Sequence, residues 1–296
     1  MSPDGAEPGP GLLVVDKPGG MTSHDVVARV RRLVGTRRVG HGGTLDPLAT
    51  GVLVVGIGRA TRLLGYLQGH DKSYAATFRL GSTTSSDDAE GEVVATADTA
   101  EVTDDAVRAG LRKLTGSLAQ LPPAVSAVQV GGVRSYAAAR RGEALELQPR
   151  QVLIHALELE AMRRDGPFLD LDVAVRASAG TYVRALARDL GAALGVGGHV
   201  TALRRTASGP FTLADAGPLD DTLPGRLLPL TDVALRAFPR WDVDADDARR
   251  IGFGQKIAAP EGFPAGPVAV LDPAGELVAL AESRDGVLRC LAVFTG

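Results

Sequence analysis

One acid, Asp46, sits where a reactive carboxylate would be firmly held. It lies within residues 38–58, RVGHGGTLDPLATGVLVVGIG. The left half of that stretch is polar and glycine-rich, and residues 52–57 form a short apolar run suited to a buried strand. A loop feeding straight into a core strand is rigid enough to aim a side chain. Because Pro47 follows, the same letters also suit an aspartate that merely caps a helical turn. A second unusual position is Arg184, in SAGTYVR at 178–184. Thr181 reads there as a helix cap, and Val183, Leu186, Ala187 and Leu190 make an apolar stripe. The helix dipole prefers anions in a first turn, so an arginine there suggests a carboxylate or phosphate partner, with a solvated arginine as the alternative. Tyr74 alternates with Ala76, Phe78 and Leu80 and reads most simply as a core residue at a strand start. Carboxylate, tyrosine and arginine together suit a cofactor-free reaction on an anionic substrate, with an aspartate as nucleophile or base.

Other chemistries lack their equipment. There is no phosphate-binding G-x-x-x-x-G-K-[ST] motif, and Gly56-x-Gly58 lacks the third glycine of a dinucleotide fingerprint. The histidines His24, His41, His70, His155 and His199 show no paired-ligand spacing, so no metal is expected. Ser23-His24-Asp25 is better explained as a helix start than as a triad.

The elements that must position these residues belong to an ordinary globular chain. It has 296 residues, 45% hydrophobic and 23% charged, enough for two domains. No apolar run approaches the roughly 18 residues of a membrane span. Residues 1–10 are rich in Gly and Pro and read as a disordered lead-in without a signal peptide. The single cysteine, Cys290, forms no internal disulfide, which points to the cytoplasm. Net charge is −3 but uneven: residues 1–80 hold ten Lys/Arg against six Asp/Glu, and 241–296 hold five against nine. Arg29, Arg31, Arg32, Arg37 and Arg38 precede the glycine-rich loop, so an anionic partner would meet the chain there.

Strands are expected at 12–15, 52–57, 74–80, 92–96, 151–159, 168–175 and 200–203, with extended chain at 121–130. Thr22 and Asp25 have the spacing of a capping box for a helix ending at Gly35. Further helices are expected at 59–67, 103–114, from Ser135 through Arg141, after Thr181, and at 232–237 and 244–251. The proline-rich segment 217–239 reads as a connector to a small β-rich module of strands at 267–271, 277–282 and 287–293, sized for a compact barrel.

The loop GHGGTLDPLATGVL resembles the central motif of the TruB family of bacterial pseudouridine synthases. Further stretches match in order: DKPGGMTSHDVV from Asp16, KSYAATFRLG from Lys72, TSSDDAEGEVV from Thr84, LPPAVSAVQVGGVRSYAAARRGE from Leu121, SAGTYVRALARDLG from Ser178 and GGHVTALRRTASGPF from Gly197. The tail from about Pro239 resembles a PUA module. The resemblance covers about nine-tenths of the chain.

It implies an α+β pseudouridine synthase fold, a mixed and mostly antiparallel central sheet with flanking helices. That catalytic domain would span 11–238, with an RNA-gripping insertion at 121–150 and a PUA-like RNA-binding module at 239–296. It implies isomerisation of uridine 55 in the T-arm of tRNA, by a cytoplasmic monomer with no cofactor, metal, nucleotide or membrane. Asp46 would be nucleophile or base, with Arg184 pairing with it and favouring its charged form. Tyr74 would stack on the base and support catalysis by moving the final proton, Tyr182 and Leu203 would line the uracil pocket, and His41 would help extrude the nucleotide. Lys17 and Pro18 would brace the loop. Gln129 stands where the family commonly has a lysine. The resemblance leaves two alternatives: the same isomerisation on another RNA, and a non-catalytic RNA-binding or RNA-folding protein. It also implies that removing residues after about Pro239 weakens RNA affinity more than it slows chemistry.

Overall fold

Two strands are apolar on both faces, and the architecture is built around them. The computed structural model describes residues 9–125 and 147–295, with the backbone of Gln129–Val130 and Val133–Arg134. In it β1 (Gly11–Lys17) pairs antiparallel with β3 (Thr50–Ile57), and both are buried along nearly their whole length. Strands covered on both sides read as continuous apolar runs rather than alternating ones. Between them lie α1 (Ser23–Val34) and β2 (Val39–His41). The expected capping box opens α1: Asp25 N–H donates to Thr22 Oγ1 at 3.1 Å, and Thr22 N–H donates to Asp25 Oδ2 at 2.9 Å. Gly35, at φ 71°, closes it.

The segment expected as one helix at 59–67 divides into a 3₁₀ turn, Gly58–Arg62, and the short α2 (Leu64–Leu67). β4 (Lys72–Leu80), β5 (Ser82–Thr84), β6 (Val93–Thr96) and α3 (Asp104–Lys113) follow. Next come β7 (Gly116–Gln120), the short pair β8 (Gln129–Val130) and β9 (Val133–Arg134), and the long hairpin β10 (Arg150–Asp165) and β11 (Phe168–Ala177). The structure places β7 just before the extended stretch expected at 121–130, of which 121–125 carries no strand. The expected helix from Ser135, the side chain of Gln129 and residues 1–8 lie outside the described residues.

α4 (Val183–Ala193) leads into β12 (Gly198–Ser208), eleven residues where four were expected. Arg204, Arg205 and Thr206 hid its length, because Arg205 is buried on backbone carbonyls rather than solvated. β13 (Phe211–Thr212), β14 (Leu228–Pro229) and α5 (Leu230–Ala237) complete this part. The strands form one sheet in the order β14-β1-β3-β12-β4-β11-β10-β7, with β2 beside β3 and β13 beside β12. Every pairing is antiparallel except β3 with β12, which meet only at Thr50–Arg204 and Gly51–Arg205. Gly51 has φ +95°, and a Cβ there would lie 2.2 Å from the Arg205 carbonyl, so no other residue fits this seam.

A second sheet orders β15 (Arg240–Asp242), β17 (Val268–Leu271), β18 (Leu277–Arg284), β19 (Val287–Val293) and β16 (Ile257–Ala258), with α6 (Ala245–Gly252) against it. No pairing among the described residues closes it into the compact barrel expected. Alternate residues of β1 and β3 face two different cores. Leu13, Val15, Leu53 and Val55 pack with residues of α1, α3 and α4. Leu12, Val14, Val52 and Val54 pack with Leu271, Leu280 and Phe294 of the C-terminal module. Side chains after β3 also grip that module's last strand. Arg59 donates to Phe294 O at 2.7 Å, Tyr66 to Leu291 O at 3.1 Å, and Arg62 to Val293 O. No helix of the described residues is long and apolar enough to cross a membrane.

Candidate active site

Asp46 is presented by a loop fixed from three sides. Ser23 Oγ donates to Leu45 O at 3.1 Å and accepts from Leu45 N–H at 2.8 Å. Lys17, fully buried, spends its three hydrogens on Pro18 O (2.9 Å), Met21 O (2.6 Å) and Pro47 O (3.2 Å). Pro18 itself is exposed and contributes its carbonyl. From below, Arg205 donates to Val52 O at 2.7 Å, Gly43 O at 3.1 Å and Thr44 O at 3.3 Å. The chain after Asp46 closes a turn, Ala49 N–H to Asp46 O at 3.1 Å, and no helix follows. The capping alternative therefore gives way: the carboxylate turns to Arg184, with Nε–Oδ2 at 3.0 Å.

Arg184 is 4% exposed, so the solvated alternative for it gives way too. It stands between two carboxylates, Asp46 and Asp88, the latter at 3.1 Å, and donates to Ser86 O at 2.6 Å and Val125 O at 2.9 Å. The helix dipole's dislike of a cation is outweighed by two anions and two carbonyls. Thr181 does not cap α4, because its hydroxyl donates to Ser178 O at 3.0 Å. Tyr182 holds the cap position, where Gln120 replaces a cap: Tyr182 N–H donates to Gln120 Oε1 at 2.8 Å, and Gln120 Nε2 donates to Tyr182 O at 3.1 Å. The loop bearing Asp88 is tied to β12, with Ala89 N–H on Val200 O at 2.9 Å and Val200 N–H on Asp87 O at 3.1 Å.

These elements enclose a cleft of about 260 Å³. Asp46, Tyr74, Tyr182, Arg184 and Leu203 all line it, as do Lys72 and Arg205. Tyr74 is both a member of the core and a wall of the cleft, so its two readings coexist. His41 is not among the lining residues. It ends β2, edge-on to His24 with ring centroids 5.4 Å apart, and burial holds its imidazole below the ordinary value. Burial pushes the Asp46 carboxyl above the ordinary carboxylate value; Arg184 pulls it down, and the nearby Asp88 charge adds to the rise. Arg184 therefore aims Asp46 and favours its charged form, while burial and Asp88 keep the net shift upward.

Comparison with known proteins identifies the family of the chain. The model of the TruB family pseudouridylate synthase N-terminal domain matches residues 31–183, which include Asp46 and Tyr74. The chain belongs to the TruB family. Two further TruB models match, the tRNA pseudouridylate synthase B C-terminal domain at 184–223 and the tRNA pseudouridine synthase II C-terminal model at 238–295. The chain is 53% identical to the tRNA pseudouridine synthase B of Thermobifida fusca, covering 97% of this chain and 99% of that one. It is 52% identical to the same-named protein of Streptomyces avermitilis, covering 96% and 97%. Among solved structures, an H/ACA RNP bound to a substrate RNA containing 2′-deoxyuridine aligns with TM-score 0.71 at 25% identity, over 97% of this chain and 85% of that one. A Cbf5-Nop10-Gar1 complex aligns with TM-score 0.71 at 26% identity, over 97% and 84%.

Four residues of this TruB site carried no signal that singled them out: Asp88, Gln120, Lys72 and Arg205. Asp88 sits in an acidic run that reads as a solvated loop, yet it is 3% exposed. Gln120 and Arg205 are defined by partners 62 and 153 residues away, which no local pattern encodes.

Proposed function

We propose that this chain converts uridine 55 in the T-arm loop of tRNA to pseudouridine. The observation that carries the reading is Asp46 held by Arg184 at a cleft walled by Tyr74, Tyr182 and Leu203. Relatives named tRNA pseudouridine synthase B, at half identity over almost the full length, support tRNA as the substrate.

Isomerisation breaks the N1–C1′ bond, turns the uracil and joins C5 to C1′, and a proton passes from C5 to N1. An ionised Asp46 serves either by attacking C1′ or by removing the C2′ proton and returning it. Tyr74 supplies the face on which the base stacks, and Tyr182 and Leu203 bound it. His41 acts beside the cleft as the nucleotide leaves its stack. Lys17 and Pro18 keep the loop in place. The exposed arginines Arg31, Arg32, Arg37 and Arg38 meet the phosphates of the folded RNA. In this reading 11–238 is the catalytic part with an RNA-gripping insertion at 121–150, and 239–296 is a PUA-like module. The enzyme works as a cytoplasmic monomer.

The test is to incubate the protein with a uridine-containing T-arm hairpin, without metal or nucleotide, and to map pseudouridine. Absence of product at the target position refutes the reading.

Arg184→Lys should slow the single-turnover rate by about 100-fold, because one ammonium cannot serve Asp46, Asp88 and two carbonyls at once. A rate equal to the parent would show that the fork is dispensable. Asp88 sets the pH response. Its charge raises the Asp46 pKa, so Asp88→Asn lowers it. The acid limb of the rate–pH profile should then move to lower pH, even where the plateau rate drops because Arg184 has lost a partner. An unmoved limb would remove Asp88 from the electrostatics of Asp46.

A further inference from the structure

The cleft holds a lysine that the mechanism above does not use. Lys72 begins β4, two residues before Tyr74, so both side chains project from the same face of the strand. It lines the same cleft and is 8% exposed. Its ammonium donates to His70 O at 2.6 Å and Gln68 O at 2.7 Å. One of its three hydrogens is left over.

The other cations of the cleft are already committed. Arg184 is balanced by Asp46 and Asp88, and Arg205 is spent on Val52, Thr44 and Gly43 carbonyls. Lys72 has no carboxylate partner within ion-pair distance among the described residues. The groups around it are Arg205 from β12, and His70 and Asp71 from the turn before β4; the half-exposed Asp71 carboxylate lies 3.0 Å from His155 Nε2 of β10. The cleft thus presents both an anion, Asp46, and an ammonium that has no carboxylate in ion-pair contact among the described residues.

The reaction calls for both. When N1–C1′ breaks, its electron pair stays with the uracil, and the negative charge spreads from N1 onto O2 and O4. We propose that Lys72 is a catalytic residue that donates its remaining hydrogen to a uracil carbonyl oxygen and stabilises the detached uracil anion. The charge disappears when C5 bonds to C1′ and the C5 proton passes to N1. Lys72 stays protonated throughout and gives up no proton. Its depth favours the base over an RNA phosphate, since the exposed arginines of residues 29–38 already offer a solvated phosphate face. The inference rests on the uridine-isomerising reading above.

Burial and the Arg205 charge lower the Lys72 pKa to about 8, so the charge it supplies is present at neutral pH and lost as pH rises through that value. Two measurements test the role on a T-arm hairpin with enzyme in excess. The first compares parent and Lys72→Met for cleavage and rejoining at the target, with uridine and with 5-fluorouridine, whose fluorine makes the uracil anion more stable on its own. The expected loss is about 100-fold for uridine, the scale of removing one oxyanion donor, and less than about 10-fold for 5-fluorouridine. A merely structural lysine would slow both substrates by the same factor, and that result overturns the proposal, as does a Lys72→Met rate within about threefold of the parent. The second covers a Lys72→Met chain that fails to fold. The parent rate should decline above about pH 8, while Lys72→Arg, charged at every accessible pH, should show no such decline. A parent profile flat through that range overturns the proposal by itself. If the parent makes no pseudouridine at all, the functional reading falls and this inference falls with it; an active parent with an indifferent Lys72 removes the inference alone.

Discussion

Asp46→Asn is expected to make no pseudouridine above background, a loss of at least about 10⁴-fold, while binding the T-arm hairpin within about threefold of the parent. The amide can still accept from Arg184 Nε, so the loop keeps its partner, but it offers neither a nucleophile nor a base. The same substitution should leave the fold as stable or more so. A carboxyl whose folded pKa is raised contributes its full stability below its unfolded pKa, and that contribution is lost as pH rises through the folded pKa. Above the folded pKa the ionised, partly exposed Asp46 is a cost that asparagine removes. The paired readout is single-turnover product formation and a thermal melt. An unchanged or raised Tm with no product locates the defect in chemistry. A Tm lowered by several degrees would mean that activity was lost through unfolding, and full turnover would end the catalytic assignment. Sites that hold a charge against burial commonly trade stability for activity in this way.

Ending the chain at Phe238 should have an equally large effect of another kind. Were the C-terminal module an independent RNA-binding attachment, its loss would weaken affinity and spare the rest. Its buried residues instead share a core with Leu12, Val14, Val52, Val54, Leu63 and Phe211. Uncovering that face forfeits on the order of 10 kcal/mol, at about 1.5–3 kcal/mol per large side chain. The total stability of a typical domain is about 5–15 kcal/mol. The grips of Arg59, Arg62 and Tyr66 on the last strand are lost as well. The truncated chain is expected to aggregate or to lack a cooperative melt. A soluble, cooperatively melting fragment that makes pseudouridine with weakened tRNA affinity would restore the picture of a detachable module.

Much of this was legible in the residues, and the illegible parts share a cause. The capping box at Thr22, the alternation through Tyr74 and the apolar run in β3 are local patterns, and each gave its element. Arg184 announced itself as a misfit against the helix dipole, and its partner proved to be the acid already under suspicion. What could not be read locally were side chains satisfied at long range. Arg205 lay beyond the expected end of β12, because the carbonyl partner that buries it lies in another strand. Asp88 looked like part of a hydrated loop, because its burial is imposed by β12 and by Arg184. Thr181 looked like a cap, but its hydroxyl turns back to Ser178 O, and the helix start is tied instead to Gln120, 62 residues away.

The two-faced burial of β1 also has a meaning in time. β1 is made well before residues that help cover its Leu12 and Val14 face, Leu271, Leu280 and Phe294. At about 5–20 residues per second the ribosome takes roughly fifteen seconds to a minute to supply them. During that interval one face of the central strand pair lacks part of its apolar cover.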